Sequence, residues 1–259
     1  MRLSWIMAGY RSVLAAGIFF VAAGLAHADG LADLKAALAR QQGQTPIKAS
    51  LEFKTWSRHG EGKELDENNG LGSITVEESA RGMQVQYSRE VLSRMEAEEQ
   101  AKEKDAKAKT PTLSALRELN SAELRGMTRA AIALSLVLEK LNFKSERAEA
   151  WNGKPARVLS FDASLDKQNE KDKKYVKKFE GSMEIWIAAD GTPLASRAHQ
   201  NISGRALVVI SFEAANHEEQ VFSLVGERLI TVRKETYNSG SGAGEKGESR
   251  VIKTLQLQS

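Results

Sequence analysis

The sequence predicts an α+β domain: a curled antiparallel β-sheet, an incomplete barrel, with helices packed in its concave side. Three observations lead there. Stretch after stretch alternates apolar and polar residues with a period of two, as a strand with one wet face does. The connections between these stretches are too short for crossovers, so neighbouring strands run antiparallel. A helix-patterned insertion at about 89–141 separates three early strands from some seven later ones, and it ends in an apolar run that the sheet would have to cover.

The first 28 residues read as an export signal. Arg2 and Arg11 supply positive charge with no acid nearby, residues 12–26 are almost uninterruptedly apolar, and Ala26-His27-Ala28 places small residues where a signal peptidase reads them. The cut is expected before Asp29, and the apolar run is short for a span of about 20 residues. The mature chain is then a soluble periplasmic domain with no transmembrane span. Losing two arginines from 37 basic residues leaves 35 against 34 acidic ones, a formal charge of +1. That balance gives no argument for nucleic acid. The absence of cysteine excludes disulfides, a thiol nucleophile and cysteine metal sites. Residues 29–259 suffice for a single domain resting on its apolar core.

Leu31, Leu34, Ala37 and Leu38 recur at helical spacing after Asp29-Gly30, a short amphipathic helix. From Ile47 the period is two. Residues 59–70 read as a polar loop, and 71–79 and 82–88 alternate again. Residues 89–109 favour helix, but only Val91, Leu92 and Met95 offer an apolar face. After Glu96 the segment is charged all round, a solvated arm with pairs such as Glu98 and Lys102. Thr110-Pro111 ends it. A short helix follows at Leu113, Leu116 and Leu119, and Ser121 is expected to cap the next. Residues 130–141 are apolar on almost every side, so that helix is expected to be enclosed. Strands then return: 143–151, a hairpin turn at Asn152-Gly153, 156–164, a polar connector at 166–174, and 179–188. Asp190-Gly191 turns the chain into 193–200. Strands at 206–214, 220–225, 228–237 and 250–258 complete the set, with 216–219 read as a polar turn and 238–247 as a mobile hairpin tip.

This order of elements resembles the periplasmic lipoprotein-carrier fold of the outer-membrane lipoprotein-sorting proteins and the sensor-regulator domain related to them. The local likeness lies in Ser182-Met183-Glu184-Ile185-Trp186-Ile187, then Asp190-Gly191-Thr192-Pro193-Leu194, with Gly226-Glu227-Arg228-Leu229 resembling the glycine turn before a late strand. The resemblance implies an unclosed barrel holding helices against an apolar cavity for acyl chains. It carries over no functional residue, and the charged arm departs from it.

The residues themselves offer little chemistry. His59, His199 and His217 have no short spacing that would put two imidazoles on one metal, no serine sits in a nucleophile elbow, and no glycine-rich stretch has phosphate-loop context. No catalytic residue, metal ligand or cofactor is therefore expected, and the chain reads as non-enzymatic. Candidate ligand contacts are apolar: Leu134, Leu138 and Leu141 on one face of the helix, and Trp151 and Trp186 as amphipathic rims. Two functions stay open. One is a periplasmic binding or carrier protein for a lipid or lipoprotein acyl chain. The other is an envelope interaction or regulatory domain whose barrel is filled by its own helix and whose charged arm meets a protein.

Overall fold

The computed structural model describes residues 29–167, 173, 175–206 and 210–258. The expected export signal at 1–28 lies outside the described residues, as does most of 168–174.

Helix α1 (Gly30–Arg40) starts where the Asp29 carboxylate accepts from the N–H groups of Leu31 and Ala32, and its stripe of Leu34, Ala37 and Leu38 is buried. Strands β1 (Ile47–His59), β2 (Asp66–Ser79) and β3 (Gly82–Gln86) follow. Pairing runs out to His59 opposite Asp66, so half of the expected loop at 59–70 is strand. Helix α2 (Arg89–Lys104) is largely exposed, as its charge pattern predicts. It is nevertheless tied down: both Glu98 carboxylate oxygens accept, at 2.9 Å, from the N–H groups of Thr112 and Leu113, capping α3 (Pro111–Arg117). Helix α4 (Ser121–Thr128) is capped by Asn120 rather than Ser121, and α5 (Ala130–Glu139) follows at once.

Seven strands complete the chain: β4 (Leu141–Trp151), β5 (Lys154–Ala163), β6 (Val176–Ile187), β7 (Pro193–Ala206), β8 (Ile210–Val225), β9 (Arg228–Gly242) and β10 (Glu245–Leu257). Asn152 and Gly153 both take positive φ, 49° and 77°, as a two-residue hairpin turn between right-twisted strands requires. At Gly191, φ is 85° and a Cβ would stand 2.2 Å from the Asp33 carbonyl oxygen, so α1 can lie against this turn only because the residue is glycine.

Two expectations fail here. Residues 216–219 are not a turn but the middle of β8, paired on both sides. Residues 238–247 are not a loose tip: Asn238 pairs with Ser249 and Gly240 with Gly247, leaving Ala243-Gly244 as the turn. Polar strands of this kind carry no period-two signal, because their two faces are both wet.

The ten strands form one antiparallel sheet in the order β3-β2-β1-β10-β9-β8-β7-β6-β5-β4, with β3 and β4 as its edges. The chain therefore leaves at one edge and re-enters at the other, and α2–α5 carry it across. Residues directly opposite in register share a face. The helix-bearing face holds two apolar clusters. In one, Leu34 and Leu38 of α1 and Ala130, Ala131 and Leu134 of α5 meet Leu159, Phe161, Ile185, Ile187 and Leu229. In the other, Ala115 of α3 and Leu124 and Met127 of α4 meet Leu51, Phe53, Ile74, Val76, Ile230 and Leu255.

Candidate functional site

Helix α5 is not enclosed. Leu134 is buried, and Leu138 and Leu141 are half-buried against the same cluster. Ile132, Leu136 and Val137 are 39%, 55% and 42% exposed. The helix rests on the sheet with one face, touching α1, α4, β4 and β9, and the described residues provide no further layer over the other. Apolar residues all round a helix thus specify here one packed stripe and one uncovered one. Beside it on the edge strand, Phe143 is 43% exposed and stacks edge-to-face on Phe161 with centroids 5.7 Å apart. Exposed apolar surface concentrated in this way makes the face a candidate contact site.

The space next to α5 is small and mixed in its lining. A cavity of about 30 Å³ opens between Gln41, Gln44, Arg129, Ala131, Ile132 and Arg228. Charge lines its floor. Glu78 of β2 is fully buried; it pairs with Arg129, the residue joining α4 to α5, and lies 3.7 Å from Arg228. Arg228 Nε in turn donates to the Gly43 carbonyl at 3.1 Å. Burial pushes the Arg228 guanidinium below its usual pKa, against the pull of Glu78.

A second charged set lies beneath α4. Lys253, 3% exposed, pairs with Glu123 of α4 and donates to the Glu118 carbonyl at 2.8 Å. Lys234 stands 3.3 Å from Glu123 and 2.9 Å from Glu218. Burial alone would lower the pKa of Lys234; the two carboxylates outweigh it and hold the ammonium above its ordinary value. Charges buried in this way are paired or ruinous, so α4 is pinned in place by ionic contacts as well as by Leu124 and Met127.

Trp151 and Trp186 lie on the other face. Ile185 and Ile187 point to α1 and α5, so Trp186 between them points away. It packs on Val158 and Ala195, with Trp151 at a centroid distance of 5.2 Å. Its Nε1 donates to Glu149 at 3.1 Å, and the Arg197 guanidinium sits 5.5 Å above its ring. The hydrogen bond from Trp186 and the Arg147 guanidinium hold the Glu149 carboxyl below the usual range. The five residues singled out from sequence therefore divide between two faces, three near α5 and two outside, and do not line one cavity.

Two features escaped the sequence reading. The uncovered α5 stripe was encoded in the surplus of apolar residues beyond a single face. The other is on the outer face, where β7 and β8 place His199 directly opposite His217 with their Nδ1 atoms 2.9 Å apart; a separation of 18 positions gave no hint of it. At the far end of the sheet, a groove of about 500 Å³ runs past Lys178, Glu180, Ser203, Glu213, Ser241 and Lys246. Its charges are mixed and it carries no catalytic pairing that the geometry makes evident. No helix among the described residues is long and apolar enough to cross a membrane. No family model, curated protein or solved structure matches the chain.

Proposed function

We propose that the protein is an exported, periplasmic, non-enzymatic domain of the cell envelope. In this reading it is an incomplete barrel whose concave side is filled by its own helices, and it docks a protein partner on the uncovered face of α5. The observation that carries the proposal is the division of α5 into a buried side and an exposed apolar one: Leu134 is buried while Ile132, Leu136 and Val137 face solvent. The other reading, carriage of a lipid or a lipoprotein acyl chain, needs apolar space beside α5. The cavity there has about 30 Å³, with Ala131 and Ile132 lining it beside Gln41, Arg129 and Arg228, and its size speaks against an acyl chain. The charged arm is less suited to be the contact than its composition implied, because Glu98 is engaged with α3.

The test is site-specific photo-crosslinking in intact cells, with the crosslinking residue at position 136 and, as a control, at Lys54 on the outer face. A discrete protein adduct at 136 that is lost with Ile132→Asp and absent at 54 supports the proposal. Adduct only with lipid at 136, or equal labelling at both positions, overturns it.

A further inference from the structure

On the outer face, the row crossing β6 to β9 reads Ser182, His199, His217 and Tyr237. We propose that His199 and His217 form a binding site for a divalent transition-metal ion that favours right-angled nitrogen ligands, copper or nickel in type.

The geometry supports this in two ways. Two imidazole nitrogens, each about 2.0–2.1 Å from an ion and at a right angle to one another, stand about 2.9 Å apart, whereas a tetrahedral ion would spread them to about 3.3 Å. The observed Nδ1–Nδ1 distance is 2.9 Å. The ring centroids are 4.2 Å apart with the planes inclined by 49°, too close for rings set end to end. The rings therefore lie side by side, an arrangement that a pair of cis ligands shares.

The surroundings fix which nitrogens are available. Glu219 Oε1 stands 3.3 Å from His217 Nε2, where it accepts a hydrogen bond in the Nε2–H tautomer. That is the carboxylate–histidine arrangement that orients a metal ligand and leaves the opposite nitrogen, Nδ1, with a free lone pair. Glu219 is itself held by Arg197 Nε at 2.9 Å, and this bond together with that to His217 keeps its carboxyl below the usual range despite partial burial. The Arg197 guanidinium carbon lies 5.5 Å from the Trp186 ring centroid. Partial desolvation first, then the neighbouring His217 and Arg197, lower the pKa of His199.

Among the described residues no group of three or more His, Asp or Glu is arranged to hold an ion. The site is thus a two-imidazole one, completed by water or by a donor from outside. Without an ion the pair shares one N–H···N hydrogen bond, from His199 Nδ1 to His217 Nδ1; on binding, His199 carries its proton on Nε2 instead, which frees the Nδ1 lone pair for the ion.

The experiment is calorimetric titration of Cu²⁺, with glycine as competing chelator, into tag-free protein spanning residues 29–259, the stretch that carries every described element. One ion per chain is expected. His199→Ala and His217→Ala should each weaken binding by at least about tenfold, and Glu219→Gln by about tenfold, the usual cost of losing a carboxylate that orients a ligand. His59→Ala should change nothing. Because His199, His217 and Glu219 lie on the outer face, thermal midpoints without metal serve as the fold control. Electron paramagnetic resonance of the copper complex should show two coordinating nitrogens. Binding no tighter than that of the His199→Ala/His217→Ala double variant, or binding unaffected by either single change, overturns the proposal.

Discussion

Two leucines two positions apart on α5 should behave in opposite ways. Leu134 is 4% exposed and sits among Leu34, Leu159 and Ile185, while Leu136 is 55% exposed. Truncating Leu134 to alanine removes buried methyl groups and leaves a hole in close-packed surroundings. The transfer and cavity contributions together cost about 2–5 kcal/mol. Leu136 already leaves about half its surface in water, so its truncation should cost under about 1 kcal/mol at ~25 cal/mol per Å² of apolar area. For a domain of this size 1 kcal/mol moves the thermal midpoint by roughly 2–4 °C. Leu134→Ala should therefore lower it by roughly 4–20 °C, and Leu136→Ala by no more than a few. Circular dichroism melts and urea titrations of the two variants measure this. Equal and large losses at both positions would show that α5 is covered on both sides and refute the uncovered-face reading.

Further outcomes follow from other contacts. Glu98→Ala removes the carboxylate capping Thr112 and Leu113 and should cost about 0.5–2 kcal/mol, measured by urea denaturation; an unchanged midpoint would show that the arm is free. Gly191→Ala adds a Cβ at positive φ against the Asp33 carbonyl, and should destabilise by more than the ~1–2 kcal/mol of left-handed strain alone. A neutral effect there would mean that α1 does not lie against that turn. Glu235 also sets a pH response. Burial would raise its carboxyl pKa, but Arg233 and Arg250 hold it below 4.5. The pair's contribution is thus present above 4.5 and is lost as pH falls through the lower folded value. Glu235→Gln should flatten the acid limb of stability against pH, and an identical limb in both proteins would contradict it.

Much of the fold was legible because local chemistry and tertiary role agree. Asp29 caps the helix whose stripe is Leu34, Ala37 and Leu38, and the turns at Asn152-Gly153 and Asp190-Gly191 stand where their residues place them. The crossing insertion between strands three and four was visible as a change of period. Illegible parts share one cause: the far half of the sheet faces water on both sides, so Asn216 to Glu219 and the Gly/Ser stretch of β9 and β10 lack the alternation that burial imposes. The same holds for the site. Periodicity shows how many apolar residues a helix carries but not how many neighbours it finds, so α5 appeared enclosed. His199 and His217 meet through strand register, which no spacing rule between distant positions reveals.

The central claim, a filled domain that docks by its surface, is met most directly by native mass spectrometry of the protein recovered from the periplasmic fraction without detergent or refolding. The account expects the mass of residues 29–259 alone, with no non-covalent lipid. A stoichiometric adduct of lipid mass, released on activation and absent from a Leu138→Trp variant, would contradict it and restore the carrier reading.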